Sequence, residues 1–515
     1  MIIVYHNENR IVAVSNNANL NKANGLSIAN FLVQLAKENK GEILAWCHID
    51  LKDEFNTAEI AKIFHHKKLM LSYNPTNCSF LGKSIGYIDD SHFAQINKKV
   101  AFSTWQMSSA VGCIHSEVLL ALQGTIPFGK NFDYCLNSLA KLSIAKGLFC
   151  YSEPKLLKQS IVPKNYHLKS DYYTLFRFVK QHFKIQWICL LLLNLFLYER
   201  KFPVLPLLFS LFYKNRSKLT VNLDSIKVMS SKKVIDKSTI DIIIPTIGRK
   251  NYLYDVLKDF SKQTLLPQKI IIVEQNPELG STTELDYLTI EKWPFEIQHI
   301  FTHQAGACNA RNLALKETKS EWVFLADDDN RFEADLLAEI FSKIAQFGNV
   351  VVTTSYPQKK EVPQQNTVIQ WRAFGAGNSI VRRDILTNVK FNKAFEFGYG
   401  EDGDFGMQLR NLGFDVLYLP EPVILHLKAP IGGFRTKPVL QWHKDDIQPK
   451  PSPTLMLHNI LHNTKEQINS YKTALFFNYY KLQKIKNPIK YYIHFQKQWE
   501  RSIFWANELR NQNEI

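Results

Sequence analysis

Three consecutive carboxylates, Asp327-Asp328-Asp329, close the apolar run Trp322-Val323-Phe324-Leu325-Ala326 that follows Glu321. Like charges at that spacing repel one another, and folding alone gives no reason to collect them, so a divalent cation bridging to phosphate is the natural compensation. Hard oxygen ligands suit Mn²⁺ or Mg²⁺, which would polarise a leaving diphosphate. The run leaves open which two aspartates would touch the metal. Upstream, Gly306-Ala307-Cys308-Asn309-Ala310-Arg311-Asn312 opens a helix, and Arg311 could add a charge-assisted contact to the same phosphates. Downstream, Phe374-Gly375-Ala376-Gly377-Asn378 leads into Ser379 to Leu386, and Phe397-Gly398-Tyr399-Gly400-Glu401-Asp402-Gly403-Asp404-Phe405 delivers three more carboxylates to the start of a helix, Phe405 to Leu412. Some could cap that helix; one, held near a bound hydroxyl, could serve as a general base. His426 ends the run Leu417 to Leu425 and is a candidate metal ligand.

The elements that must position these groups are strands and helices in alternation. Ile240-Asp241-Ile242-Ile243-Ile244-Pro245-Thr246 is a buried strand broken at a proline, the helix Tyr252 to Thr264 follows, and the strand Lys269 to Val273 ends in Glu274-Gln275. In an open parallel sheet, ligands bind at such strand ends, and a polar pair placed there could hold a nucleobase or ribose.

This ordered set resembles glycosyltransferase family 2, the inverting GT-A transferases that use nucleotide-sugar donors. The resemblance covers about residues 240–427: Ile-Pro-Thr with a following Gly-Arg, the Ala-Arg-Asn helix start, the Asp-x-Asp region, the Gly-Asn-Ser loop and Glu-Asp-x-Asp. It implies an α/β fold of GT-A type, a Rossmann-like open mixed sheet flanked by helices. It also implies that Pro245, Thr246, Glu274, Arg311, Asp327, Gly377 and Asn378 border the donor. Asp327, Asp328, Asp329 and His426 would hold the metal, and Asp402, with Glu401 beside it, would deprotonate the acceptor. Where many members carry paired aspartates after the second strand, this chain has Glu274-Gln275.

A length of 515 residues suggests three or four units at roughly 150 residues each. With 45% hydrophobic and 21% charged residues, collagen, coiled coil and wholesale disorder are excluded. Seven scattered cysteines without a C-x-x-C pair argue against a disulfide framework or zinc site, so a reducing compartment is expected, and the N-terminus carries no visible export signal. The net charge of +16 favours an anionic partner. Nucleic acid is not expected, because no basic reading helix, zinc finger or RNA-binding aromatic motif is present.

Residues 1–160 alternate short apolar runs (Ile2 to Tyr5, Ile43 to Cys47, Leu69 to Ser72, Leu148 to Tyr151) with helical patterns (Leu26 to Ala36, Phe132 to Ala145), again α/β. Glu42 to Asp50 lines up with Glu321 to Asp329, Val111 to Leu119 with Gly377 to Ile385, and Phe128 to Asp133 with Phe397 to Asp402. Lys146 to Pro154 lines up with Leu412 to Pro422, allowing for small gaps. The expectation is a shortened, degenerate GT-A copy at 1–160, reading His-Ile-Asp for Asp-Asp-Asp and used for acceptor binding, dimerisation or buttressing. An apolar and basic stretch follows at 161–237, expected to be an interdomain linker or to lie on a membrane. Its runs Ile185 to Tyr198 and Val204 to Tyr213 are too short to span a bilayer. The catalytic domain is then 238–445, and 446–515 forms basic, aromatic helices that either lie on anionic lipid or cap the catalytic domain.

The sequence therefore predicts a metal-dependent, inverting glycosyltransferase that moves a sugar from a nucleotide-sugar donor to a saccharide or lipid-linked saccharide in cell-surface polysaccharide or lipopolysaccharide biosynthesis. It is expected in the cytoplasm, peripheral on the inner face of the membrane. Alternatives are a nucleotidyltransferase acting on sugar phosphates and a non-catalytic membrane-associated scaffold.

Overall fold

In the computed structural model, residues 1–15, 23–76, 78–127, 129–160, 162, 170–359, 365–430 and 438–513 are described. Phe128, part of the internal comparison above, lies outside them. The chain forms two units: residues 1–232 with 411–413 and 464–475, and residues 233–410 with 414–463 and 476–515.

The first unit contains β1 (Ile2–Asn7), β2 (Arg10–Val14), α1 (Ile28–Glu38), β3 (Ile43–His48), α2 (Thr57–Ile63), β4 (Leu69–Tyr73), β5 (Phe102–Ser103), β6 (Val111–His115), α3 (Ser116–Leu122), α4 (Phe132–Ser143), β7 (Phe149–Ser152), α5 (Tyr172–His182), α6 (Gln186–Glu199) and α7 (Val204–Ser210). The second adds β8 (Ile240–Thr246), α8 (Lys250–Ser261), β9 (Lys269–Gln275), α9 (Tyr287–Ile290), β10 (Glu296–Thr302), α10 (Ala307–Lys316), β11 (Trp322–Ala326), β12 (Asn330–Arg331), α11 (Leu336–Phe347), β13 (Val351–Ser355), β14 (Ile369–Gln370), β15 (Asn378–Arg382), α12 (Glu401–Asn411), β16 (Leu417–Val423), β17 (Leu425–His426), α13 (Pro453–His462), α14 (Lys465–Tyr480) and α15 (Pro488–Gln512), of which α14 contributes to both units.

Both sheets are mixed and open, so the fold is α/β. The second sheet runs β10-β9-β8-β11-β15-β13-β16-β14 and the first β2-β1-β3-β6-β4-β7-β5. Six strands correspond one to one: β1, β3, β6, β4, β7 and β5 stand where β8, β11, β15, β13, β16 and β14 stand. The directions agree as well, parallel at β1/β3 and β8/β11, antiparallel at β3/β6 and β11/β15, and parallel again at β4/β7 and β13/β16. With Glu42 to Asp50 set against Glu321 to Asp329, the pairing registers carry the equivalence to the neighbouring strands. His48 takes the place of Asp327, and Val111 that of Asn378, one residue away from the expected alignment of Val111 with Gly377. A one-residue slip exchanges the faces of a strand, so the ladder rather than sequence likeness decides it.

Central strands are largely apolar because both faces are covered: β11 throughout, β8 over Ile242 to Ile244 and β9 over Ile270 to Val273. Of the segment at 161–237, expected to be an interdomain linker or to lie on a membrane, the described residues up to 232 belong to the first unit, and several enter its core. Leu175, Phe176, Phe178, Ile188, Leu191 and Leu195 of α5 and α6, and Val221, Leu223 and Ile226 beyond them, belong to one buried cluster with β1, β3 and β4.

Candidate active site

A cavity of about 720 Å³ opens at the carboxyl ends of β8 and β11 and gathers most of the residues singled out above: Pro245, Thr246, Arg311, Asp327, Asp328, Asp329, Gly377, Asn378, Glu401, Asp402 and His426. Glu274 is not on its wall. Its carboxylate accepts hydrogen bonds from Thr283 Oγ1, from the Glu284 amide at 3.1 Å and from His299 Nε2 at 2.8 Å. Burial raises its pKa, but these partners outweigh burial and hold it below the usual value. The neighbouring Gln275 faces the cavity instead, because adjacent strand residues point to opposite faces; its Oε1 accepts from the Gly306 amide at 2.6 Å.

The three aspartates separate. Asp328 is 3% exposed, with Oδ2 accepting from Thr246 Oγ1 at 2.7 Å and Oδ1 from Arg249 Nη1 at 2.6 Å. Burial pushes its pKa up to about 6 against the pull of Arg249. Expected among the metal ligands, Asp328 is thus tied to the floor of the site. Asp327, Asp329 and His426 present ligand atoms within 4.8 Å of one another. The short pair β12/β17 sets Asn330 opposite His426 and so brings the histidine, almost a hundred residues away, to Asp329 at 3.4 Å. Asp329 is 2% exposed, and its Oδ1 makes no hydrogen bond among the described residues. A buried, unsatisfied carboxylate oxygen beside a second carboxylate and an imidazole fits a divalent cation of the Mn²⁺ or Mg²⁺ kind.

Arg311 Nη2 donates to Asp327 Oδ1 at 3.0 Å. Burial would lower its pKa, but the facing carboxylates of Asp327, Asp402 and Glu401 outweigh burial and raise it. The guanidinium therefore lies in the field of both acidic clusters. Asp402 is half-buried, with Oδ2 accepting from the Ala376 amide at 3.2 Å and a buried Oδ1 without a hydrogen-bond partner among the described residues. Burial raises the pKa values of Asp402 and of Glu401, and in Glu401 the Asp402 charge adds to that rise. Both lie in the first turn of α12, which begins at Glu401, four residues before the expected start at Phe405. The loop ahead of them is clamped by α13: the Tyr399 amide donates to Thr454 Oγ1 at 3.0 Å, and His462 Nε2 meets Asp404 at 2.7 Å. α13, from the stretch expected either to lie on lipid or to cap the catalytic domain, thus packs against this loop.

Sequence reading missed four residues. Tyr356 donates to Asp327 Oδ2 at 3.1 Å and stacks on His426 with ring centroids 4.5 Å apart. Arg249 neutralises Asp328; the Gly-Arg of the opening motif was the available signal. Glu396 accepts from the Cys308 and Asn309 amides at 3.0 and 2.9 Å, capping α10 from 88 residues away in the chain. Its carboxylate fills the space where a Cβ on Gly306 (φ +142°) would fall, so glycine is required there. Lys428 lines the cavity near His426.

Residues 241–400 match the model of glycosyl transferase family 2. The second unit carries a domain of that family. Among curated relatives, an uncharacterized glycosyltransferase of Rickettsia conorii is 29% identical over 133 residues, which are 25% of this chain and 21% of the relative. One of Haemophilus influenzae is 26% identical over 111 residues (22% and 36%), and YwdF of Bacillus subtilis is 32% identical over 93 residues (18% and 33%). The chain thus spans about a fifth to a third of these relatives' length. Of solved structures, Staphylococcus aureus TarS 1-349 in complex with UDP-GlcNAc aligns with 16% identity over 52% of this chain and 79% of that one, at a TM-score of 0.35.

Proposed function

We propose that the protein is a cation-dependent, inverting glycosyltransferase that uses a nucleotide-sugar donor and a saccharide or lipid-linked saccharide acceptor in cell-surface polysaccharide or lipopolysaccharide assembly. The observation that carries this reading is one cavity holding two acidic clusters of different character with Arg311 between them. Asp327, Asp329 and His426 would hold the cation, which supplies Lewis acidity toward the leaving diphosphate. Arg311 adds a fixed positive charge where negative charge develops on that group. Asp402 removes the acceptor proton while the acceptor oxygen bonds to the anomeric carbon and the bond to the diphosphate breaks, its electron pair leaving with phosphate. One displacement inverts the anomer and needs no protein nucleophile.

A calorimetric panel of nucleotide sugars with and without Mn²⁺, comparing the parent with Asp327→Ala/Asp329→Ala, tests the reading. Cation-dependent binding of one donor, lost in the variant, supports it; binding indifferent to both cation and variant would overturn it. Release of nucleoside diphosphate rather than pyrophosphate separates transfer from a nucleotidyltransferase.

The same proposal places the protein on the cytoplasmic face of a membrane. No helix among the described residues is long and apolar enough to cross one. Yet α7 and the residues after it expose Leu205 (60%), Phe209 (56%) and Phe212 (85%), with Lys201 and Lys214 also exposed nearby in the chain. Exposed rings flanked by lysines suit insertion into an anionic headgroup layer. Because the other faces of α5 and α6 are core, the test is substitution rather than deletion. Phe209→Ser/Phe212→Ser should abolish sedimentation with phosphatidylglycerol vesicles, and unchanged sedimentation removes this part of the proposal.

A further inference from the structure

We propose that the first unit holds a saccharide-binding site of its own, for an uncharged sugar and separate from the transfer reaction. Its sheet repeats that of the second unit, but the end of the sheet that handles phosphate and cation there is closed here. Where the second unit has Pro245 and Asp327, the register puts His6 and His48, both fully buried. Ser109 takes the place of Ala376, and Asp133, which binds its amide at 2.8 Å, stands as Asp402 stands to Ala376. Asp133 nevertheless spends both oxygens on Ser109, and Phe132, in the position of Glu401, packs edge-on against His6 and Trp46 at 5.8 and 5.7 Å. A nucleotide diphosphate has no place there.

What remains is a cavity of about 610 Å³, close in size to the catalytic one, at the carboxyl ends of β4 and β7 and the entrance to β6. Its wall includes Ser108, whose register equivalent, Gly375, lines the catalytic cavity, so both cavities occupy the same end of their sheets. The rings of Phe93 and Phe102 form apolar wall, and beside them are polar groups with unmet hydrogen-bonding capacity. The Gln106 side-chain amide makes no hydrogen bond within the described protein, and the buried Ser79 hydroxyl has no partner among the described residues. The charged groups on the wall offset one another, Lys83 and Lys98 against Asp89 and Glu466; Lys83 pairs with Glu466 at 3.8 Å, and Asp89 also meets Lys141, which is not on the wall, at 3.3 Å. Aromatic faces with neutral donors and acceptors, and no net charge, match the C–H faces and hydroxyl edges of a pyranose. A phosphorylated or apolar ligand would leave these groups mismatched.

The test is saturation-transfer NMR and calorimetry on the full chain, with glucose, galactose, N-acetylglucosamine and their β-linked disaccharides as probes. We expect one probe to bind saturably, at least tenfold more weakly to Gln106→Ala, not at all to Gln106→Trp, and unchanged to Asp402→Asn. Thermal unfolding of each variant confirms that it is folded. Absence of binding by the parent, or binding unmoved in Gln106→Ala, would overturn the site. Loss in Asp402→Asn would also overturn it, by placing the sugar in the second unit.

Discussion

Asp402→Asn isolates the proposed base with little change in shape. Asparagine keeps an oxygen that can accept from the Ala376 amide, now 3.2 Å from Oδ2, and it removes a charge that desolvation disfavours, so the fold should hold. What disappears is the proton acceptor at Oδ1, an atom with no other hydrogen bond among the described residues. General base catalysis contributes about 10²- to 10⁴-fold, or roughly 3 to 5 kcal/mol of barrier at 1.36 kcal/mol per decade. We expect kcat to fall by that factor while donor affinity changes by less than about threefold, because the diphosphate contacts proposed for Arg311, Asp327 and Asp329 remain. The pH profile supplies an independent sign. A base acts only when ionised, and burial raises this carboxylate's pKa, so parent activity should climb with pH along a limb lying above the ordinary aspartate range. That limb should vanish in the variant. The assay is steady-state release of nucleoside diphosphate from pH 4.5 to 8.5, with donor binding measured separately. Asp133→Asn, at the equivalent place in the first unit but lining neither large cavity, is the control and should leave kcat unchanged. An Asp402→Asn enzyme within tenfold of the parent, or one whose acid limb persists, would refute the assignment.

A methyl group on Gly377 would lie 2.2 Å from Asp327 Oδ2 and 2.8 Å from the Tyr356 hydroxyl, so Gly377→Ala must displace the carboxylate by about 1 Å. A displacement of that size costs on the order of 100-fold in kcat/KM, and retention within threefold would contradict it. Arg249→Ala leaves Asp328 buried without its cation and should destabilise the protein by about 3 to 5 kcal/mol in urea, partly restored by adding Asp328→Asn; a loss under about 1 kcal/mol would show that the pair is not structural. Burial lifts the Asp133 pKa to about 6, so between about pH 4 and 6 the folded chain retains a proton that the unfolded chain has released. Stability at this site therefore falls as pH rises through that window. Asp133→Asn should gain about 2 kcal/mol on the parent between pH 4.5 and 7.5, and equal stability differences at both pH values would refute this.

The sequence by itself determined the α/β alternation, the second unit's strand and helix order, and the acidic motifs, because these are local patterns. A parallel strand covered on both faces reads as a largely apolar run, as in Ile270 to Val273, and three adjacent carboxylates are conspicuous wherever they lie. The likeness between the halves was also legible, since each strand must fit the same kind of ladder. Only the tertiary structure decided what each side chain faces. Asp328 sits between two exact chemical equals, and nothing in a run of aspartates tells that Arg249 and Thr246 claim the middle one while His426, carried in by a two-residue strand, meets the last. Tyr356 and Glu396 reach the site from distant loops with no motif to mark them. Glu274 and Gln275 differ by the half-turn between successive strand residues, which sends one to a hydrogen-bonded pocket behind the cavity and the other to its wall. The same holds for the segment after residue 161, whose composition suits a membrane surface or a core equally. Packing divides it, with Phe176, Phe178 and Leu191 turned inward and Phe209 and Phe212 left outside.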